Sequence, residues 1–161
     1  TWSAIGASLW HLAQNPQDRR RWVEDPAVQP AAIEEFLRFY APVTMARLVA
    51  KPTEISGCPV LPNEWVLLPF PAGNRDPEAF EQAGEFIIDR ARNRHGAFGL
   101  GIHRCVGSNL ARLELSVALE EWMKRVPDFE LADPAGVLWS TGQVRGPRNL
   151  PIRVLNNGVS K

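Results

Sequence analysis

Fourteen prolines punctuate this chain of 161 residues and limit what can form between them. A ring-locked φ and a missing N–H keep proline out of helix interiors and central strands. Seven of the fourteen fall between Pro42 and Pro77. That stretch therefore admits only short or edge strands and turns, with β-type runs at Ala46 to Ala50 and Trp65 to Leu68. Elsewhere proline marks helix ends. Asn15-Pro16 closes a pattern in which Trp2, Ile5, Leu9 and Leu12 recur at spacings of three and four beside Trp10 and Ala13; this predicts a broadly apolar helix. Gln17 to Glu24 predicts a small charged surface helix with only Trp22 and Val23 to bury, stopped by Asp25-Pro26. After Pro30, which suits a first helical turn, Ile33, Phe36, Leu37 and Tyr40 form one stripe. Glu34, Glu35 and Arg38 fall opposite, and Pro42 ends the helix.

Asp76-Pro77 to Phe98 has weak periodicity and reads as an irregular segment with at most one helical turn. A loop that long inside a domain usually carries function. Val106 to Arg125 is the best helix pattern, with Leu110, Leu113, Val117 and Trp122 on one side, and with Glu120–Lys124 and Glu121–Arg125 spaced as pairs on the other. Short strand candidates follow at Phe129 to Leu131, Val137 to Trp139 and Pro151 to Leu155. The fold class is mainly α with small β-sheets, that is, α+β.

Lys and Arg number 18 against 18 Asp and Glu, which excludes a polybasic nucleic-acid binder and an acidic tail. Cys58 and Cys105 are too few for a disulfide scaffold, so each is read singly, and a reducing, cytoplasmic setting is expected. No signal-peptide pattern is present. The longest charge-free run, Thr1 to Gln17, is shorter than the roughly 20 apolar residues of a spanning helix, so no membrane partner is expected. Thr1 enters the first helix with no preceding turn or evident cap, which reads as a chain cut inside a helix.

The chemistry concentrates in Phe98-Gly99-Leu100-Gly101-Ile102-His103-Arg104-Cys105-Val106-Gly107. Two glycines permit close approach to a flat ligand. Cys105 then sits where a long helix begins, and unpaired N–H groups with the positive dipole end favour a thiolate. A thiolate there suits a soft metal or heme iron. A lone cysteine before a helix is otherwise an ordinary buried apolar residue; the glycine spacing and the upstream His103 favour the ligand.

The stretch FGLGIHRCVGSNLAR resembles the heme-binding loop of the cytochrome P-450 family: Phe, two residues, Gly, one residue, His or Arg, one residue, Cys, one residue, Gly. Phe98, Gly101, His103, Cys105 and Gly107 match, and Leu110-Ala111-Arg112 continues as in bacterial members. Glu35-Phe36-Leu37-Arg38 resembles the family's ExxR pair, and Asn74-Arg75-Asp76-Pro77 the segment expected to supply a third charged partner. The resemblance covers residues 1–161 as the C-terminal, heme-binding part of a single P-450 domain, truncated inside the distal I helix with the N-terminal part absent.

The resemblance implies heme b (iron protoporphyrin IX), with Cys105 as proximal ligand to the iron. Phe98, Gly99, Gly101, Gly107 and Ala111 would lie against the macrocycle, and His103 and Arg47 would bind its propionates. Thr1 matches either the oxygen-activating alcohol or the residue after it. Glu35, Arg38 and Arg75 would form a buried structural network. Val43, Thr44 and Met45, with Gln143 and Val144, align with substrate-contact regions and suggest a small apolar organic substrate; ordinary turn packing fits them equally. Arg104 and Arg112 would face a ferredoxin-type electron donor, and simple solvation fits them as well. The implied activity is that of a bacterial-type monooxygenase. A peroxide-dependent peroxygenase and a non-catalytic heme-binding or sensing protein remain open, and the chain alone is expected to be inactive.

Overall fold

The computed structural model describes residues 1–155. Five helices, α1 (Trp2–Gln14), α2 (Pro16–Glu24), α3 (Gln29–Phe39), α4 (Phe70–Gly73) and α5 (Ser108–Arg125), carry most of the core. The strands are β1 (Thr44–Leu48), β2 (Thr53–Ile55), β3 (Cys58–Val60), β4 (Trp65–Pro69), β5 (Phe129–Leu131), β6 (Leu138–Ser140), β7 (Gly146–Asn149) and β8 (Ile152–Val154). They form four two-stranded antiparallel sheets, β1–β4, β2–β3, β5–β8 and β6–β7. Thr44 lies opposite Pro69 and Leu48 opposite Trp65 in the first sheet. The α+β expectation therefore holds, with every sheet as short as the prolines require.

Proline sets the helix boundaries as expected. Pro16 opens α2, and Pro30 sits in the first turn of α3. Leu12 of α1, Phe36 of α3, Leu115 and Leu119 of α5, Trp22 of α2 and Phe129 of β5 are all but sealed from solvent and form one cluster. Burying side chains of this size contributes roughly 1.5–3 kcal/mol each. The charged helix α2 is anchored differently from expectation: Val23 is exposed, and Arg19 is buried instead, reaching Leu12 O at 2.9 Å and Asp128 at 2.6 Å.

Helix α5 faces the core with a different side than its sequence suggested. Leu115, Leu119 and Met123 are buried, whereas Leu110, Leu113 and Val117 are exposed. The helix is apolar on two sides, so spacing alone does not select the inward one. Glu121 takes both Lys124 and Arg125, while Glu120 accepts from Ser116 at 2.9 Å, so the Glu120–Lys124 pair does not form.

One close approach locks β7 onto α1. A Cβ built on Gly146 would lie 2.6 Å from Ser3 Cβ and 3.0 Å from Ser3 Cα, and one on Gly6 would lie 2.9 Å from Pro147 Cγ. Gly146→Ala is expected to destabilise the protein by about 1–3 kcal/mol, as overpacking does. A denaturation midpoint equal to that of the parent would show that the strand is free to move away.

Candidate functional site

The long irregular stretch between α4 and α5 is held by a buried ionic network. Glu35 and Arg38 have no exposed surface. Arg38 donates from Nε to Glu35 Oε2 at 2.8 Å and from Nη2 to Oε1 at 2.7 Å, a bidentate pair. Its remaining donors go to backbone carbonyls: Nη1 to Asn74 and Ala83, and Nη2 to Glu85. All five guanidinium N–H groups are thus satisfied, which burial demands. Glu35 also accepts from Ile87 N, Asn93 Nδ2 and Arg90 Nε, the last at 3.0 Å. Arg90 in turn holds the carbonyls of Glu81, Gln82 and Glu85. A segment without helix or strand hydrogen bonds finds its backbone partners here.

One expectation changes with this geometry. Glu35 and Arg38, the pair that the resemblance put in a buried network, are the most buried charges of α3. The third member is Arg90 rather than Arg75, which is exposed, donates to Phe39 O at 3.0 Å and stacks on the Phe39 ring at 4.0 Å. The expected segment contributes through its neighbour: Asn74 Nδ2 donates to Arg38 O, and Asn74 Oδ1 accepts from Gly96 N.

The network sets the entry to the Cys105 loop. Gly99 and Gly101 have φ of 72° and 69°, left-handed values that a side chain would strain. The resulting bend lets Cys105 N–H donate to Phe98 O at 2.8 Å, closing the loop, while Cys105 O accepts from Ser108 N at the start of α5. No side chain caps that helix start. Cys105 is exposed, which excludes the ordinary buried-cysteine reading. A Cβ on Gly107 would lie 3.9 Å from its Sγ, so the glycine leaves that side of the sulfur open.

The thiol opens into a cavity of about 740 Å³, within the usual range for small-molecule and cofactor sites. Of the expected site residues, Cys105, His103, Arg47, Phe98, Gly99, Gly107 and Ala111 line it, as do Thr1, Val43 and Met45. Gly101, Thr44, Gln143 and Val144 do not. The turn at 143–144 is nonetheless fastened to the wall, since Thr44 N donates to Gln143 O at 2.9 Å and Val43 bridges to Val144. Leu37, Phe70, Leu110 and Glu114 are among the further lining residues and were not expected. Phe70 packs beneath Gly99, with ring atoms 3.6 Å from the position of a Cβ there, and nothing in its Pro69-Phe70-Pro71 context signals this.

The donor set fits one class of cofactor. Among the described residues no group of three or more His, Cys, Asp or Glu could hold a metal ion. A metal bound by Cys105 must therefore bring most of its own ligands, as iron in a porphyrin does. The walls are mostly apolar, and Arg47 and His103 have no carboxylate partner among the described residues. An apolar disc with anionic edge groups matches that pattern.

A model of the cytochrome P450 (P-450) family matches residues 27–134, two thirds of the sequence. The chain belongs to the cytochrome P-450 family. Members of this family bind heme. The chain is 36% identical over 154 residues to cytochrome P-450-terp of a Pseudomonas species, covering 95% of this chain and 36% of the relative. It is 40% identical over 139 residues to a steroid C26-monooxygenase of Mycolicibacterium smegmatis, covering 83% of this chain and 35% of that protein. A bacillaene polyketide-synthase cytochrome P-450 of Bacillus subtilis superposes with a TM-score of 0.90 at 33% identity, over 96% of this chain and 41% of that one. A Bacillus megaterium P-450 solved in complex with testosterone gives 0.89 at 31%, over 94% and 43%. The chain thus spans little more than a third of the length of the curated relatives it matches.

Two further clusters surround the P-450 site. His11, 4% exposed, lies between Tyr40 Oη at 2.7 Å and Asp18 Oδ2 at 2.8 Å and ties α1 to α2 and α3. Burial raises the Tyr40 hydroxyl pKa above its ordinary value. Glu34 sits between His95 and Arg112. Burial alone would raise its carboxyl, but hydrogen bonds from those two residues outweigh that and hold it at about 2. A depressed carboxyl stabilises the folded state above its unfolded pKa and ceases to as pH falls through the folded value. The Glu34 contribution is therefore constant at neutral pH and is expected to fade from about pH 5 downward. In Glu34→Gln, an acid-unfolding curve displaced to lower stability at neutral pH and converging on the parent near pH 2 would show it. A constant gap at all pH values would contradict it.

Proposed function

We propose that residues 1–161 are the C-terminal, heme-binding portion of a single-domain monooxygenase that inserts one oxygen atom of O2 into an apolar organic substrate, with electrons from a redox partner. The observation that carries this reading is the exposed Cys105 thiol on the wall of a mostly apolar cavity, behind a glycine-bent loop, where no group of three or more His, Cys, Asp or Glu among the described residues could hold a metal ion.

Heme b, when bound, supplies dioxygen activation, and a thiolate ligand favours O–O cleavage. Cys105 holds the iron through Sγ. Helix α5 begins three residues after Cys105, with no side-chain cap at its start. Arg47 and His103 bind the propionates at the cavity edge. Phe98, with the glycines and Ala111, gives the macrocycle an apolar bed that excludes water. Thr1 carries the only hydroxyl among the described lining residues and would hold a proton on that side of the cavity. Val43 and Met45 form an apolar wall for the substrate, with Thr44, Gln143 and Val144 supporting that wall from behind. A ferredoxin-type donor would meet the exposed Arg104; Arg112 is already engaged by Glu34. The same reading places the protein in the cytoplasm, and no described helix is long and apolar enough to cross a membrane.

The test is the carbon monoxide difference spectrum of the reduced, heme-loaded whole protein that contains this chain, followed by turnover with a ferredoxin system. A strongly red-shifted thiolate band with oxygenated product supports the monooxygenase. Product with peroxide alone would make it a peroxygenase, and ligand binding without any turnover would make it a sensor.

A further inference from the structure

Glu34 stands one residue before the fully buried Glu35, yet its contacts lead elsewhere. Oε1 accepts from Arg112 Nε at 2.6 Å, and Oε2 accepts from Arg112 Nη2 at 2.9 Å and from His95 Nε2 at 3.0 Å. His95 Nδ1 accepts from Ala97 N at 3.2 Å, which assigns the ring proton to Nε2 and makes that nitrogen the donor to Glu34. His95 lies ten residues before Cys105 and Arg112 seven residues after it, so one carboxylate on α3 joins the two ends of the thiol-bearing loop. Between those ends the Arg112 guanidinium stands 4.7 Å from the centroid of Phe98, and the His95 ring 6.0 Å from it. Phe98 O is the acceptor that fixes Cys105 N.

We infer that Glu34 is a positioning residue that clamps the Cys105 loop shut through His95 and Arg112, and so holds the sulfur in place for its ligand. The inference rests on the heme-thiolate reading of Cys105. An exposed ion pair contributes little. This one differs in three respects: the Arg112 contact is bidentate, the His95 side chain is 2% exposed, and both partners lie against the aromatic ring whose carbonyl anchors the cysteine. Nothing else on α3 reaches both ends of the loop, because Glu35 is directed to Arg38 and Arg90.

The experiment compares Glu34→Gln and Glu34→Asp with the parent as heme-loaded proteins. The readout is the fraction of reduced, carbon monoxide-bound protein showing the thiolate band and the rate at which that band is lost on standing. Glu34→Gln should lose the band roughly three- to fivefold faster, the ratio matching a partly exposed bidentate pair. Glu34→Asp should recover part of the difference. A merely structural role would lower the thermal midpoint and leave the band's lifetime unchanged well below it; that result overturns the clamp. Should Glu34→Gln not fold, Arg112→Gln, which leaves Glu34 on His95, carries the same expectation. A parent protein with no thiolate band overturns the heme-thiolate reading and the clamp with it, whereas a parent band with an unaffected variant overturns the clamp alone.

Discussion

Removing the Arg90 side chain leaves the protein insoluble or free of heme, while removing Arg75 leaves both folding and heme content intact. Glu35 has two oxygens and five donors around them, with Arg38 and Arg90 supplying three of the five. Arg90→Ala deprives a fully buried carboxylate of a charged partner and strips a side-chain donor from the carbonyls of Glu81, Gln82 and Glu85, in a segment whose other backbone bonds are isolated turns. Breaking a buried ionic group in this way costs about 3–5 kcal/mol, a large part of the roughly 5–15 kcal/mol that holds a domain together. Glu35→Ala and Arg38→Ala belong to the same class. Arg75 is exposed, and its one hydrogen bond and its stacking on Phe39 are worth about 1 kcal/mol together. Soluble yield, thermal midpoint and heme per chain decide the matter. An Arg75→Ala protein as damaged as Arg90→Ala would return Arg75 to the network.

The difference between these arginines shows what a sequence of this kind conceals. Prolines and apolar spacing place α1, α2 and α3, because those signals are local; the run expected at 65–68 falls within β4, and the one expected at 46–50 runs two residues past the end of β1. The Cys105 loop is legible for the same reason: five fixed positions in ten residues carry it. Arg90 is not legible. It meets Glu35 across a sequence separation of 55 residues, from within an irregular segment that no periodicity marks. Two-sided helices fail differently. Leu110, Leu113 and Val117 are as well spaced as Leu115, Leu119 and Met123, and only the packing partners, α1 and α3, choose between them. Strand β7 escapes for a third reason: Gly146 and Pro147 have poor strand propensity and are there for close approach to α1. The same limit applies to the cavity wall. Val43, Met45 and Arg47 follow from the resemblance, but Leu37 and Phe70 come from elements brought beside the loop only by the folded chain.

Cys105→Ala should keep the fold and lose the thiolate signature completely. The side chain is exposed and accepts no hydrogen bond among the described residues, and its backbone bonds to Phe98 and Ser108 survive in alanine. A substitution of that kind changes stability by about 0.5 kcal/mol or less, so the apoprotein's thermal midpoint stays within a degree or two of the parent. The chemistry changes wholly, because no second thiol lines the cavity and the Met45 thioether there cannot ionise to a thiolate. Cys58 stands in the β2–β3 hairpin, outside the cavity lining. Heme that remains must then be held by packing, Arg47 and His103 alone, and its reduced carbon monoxide complex shows no red-shifted band; oxygenation falls to background. Cys105→His separates ligation from electron donation, since a neutral imidazole binds iron without the push of a thiolate. Cys58→Ser is the control and should match the parent in band, heme content and turnover. A thiolate band persisting in Cys105→Ala would mean that the iron is held by a sulfur other than the one at the mouth of α5. The glycine bend, the open side at Gly107 and the cation edge would then have to serve something else.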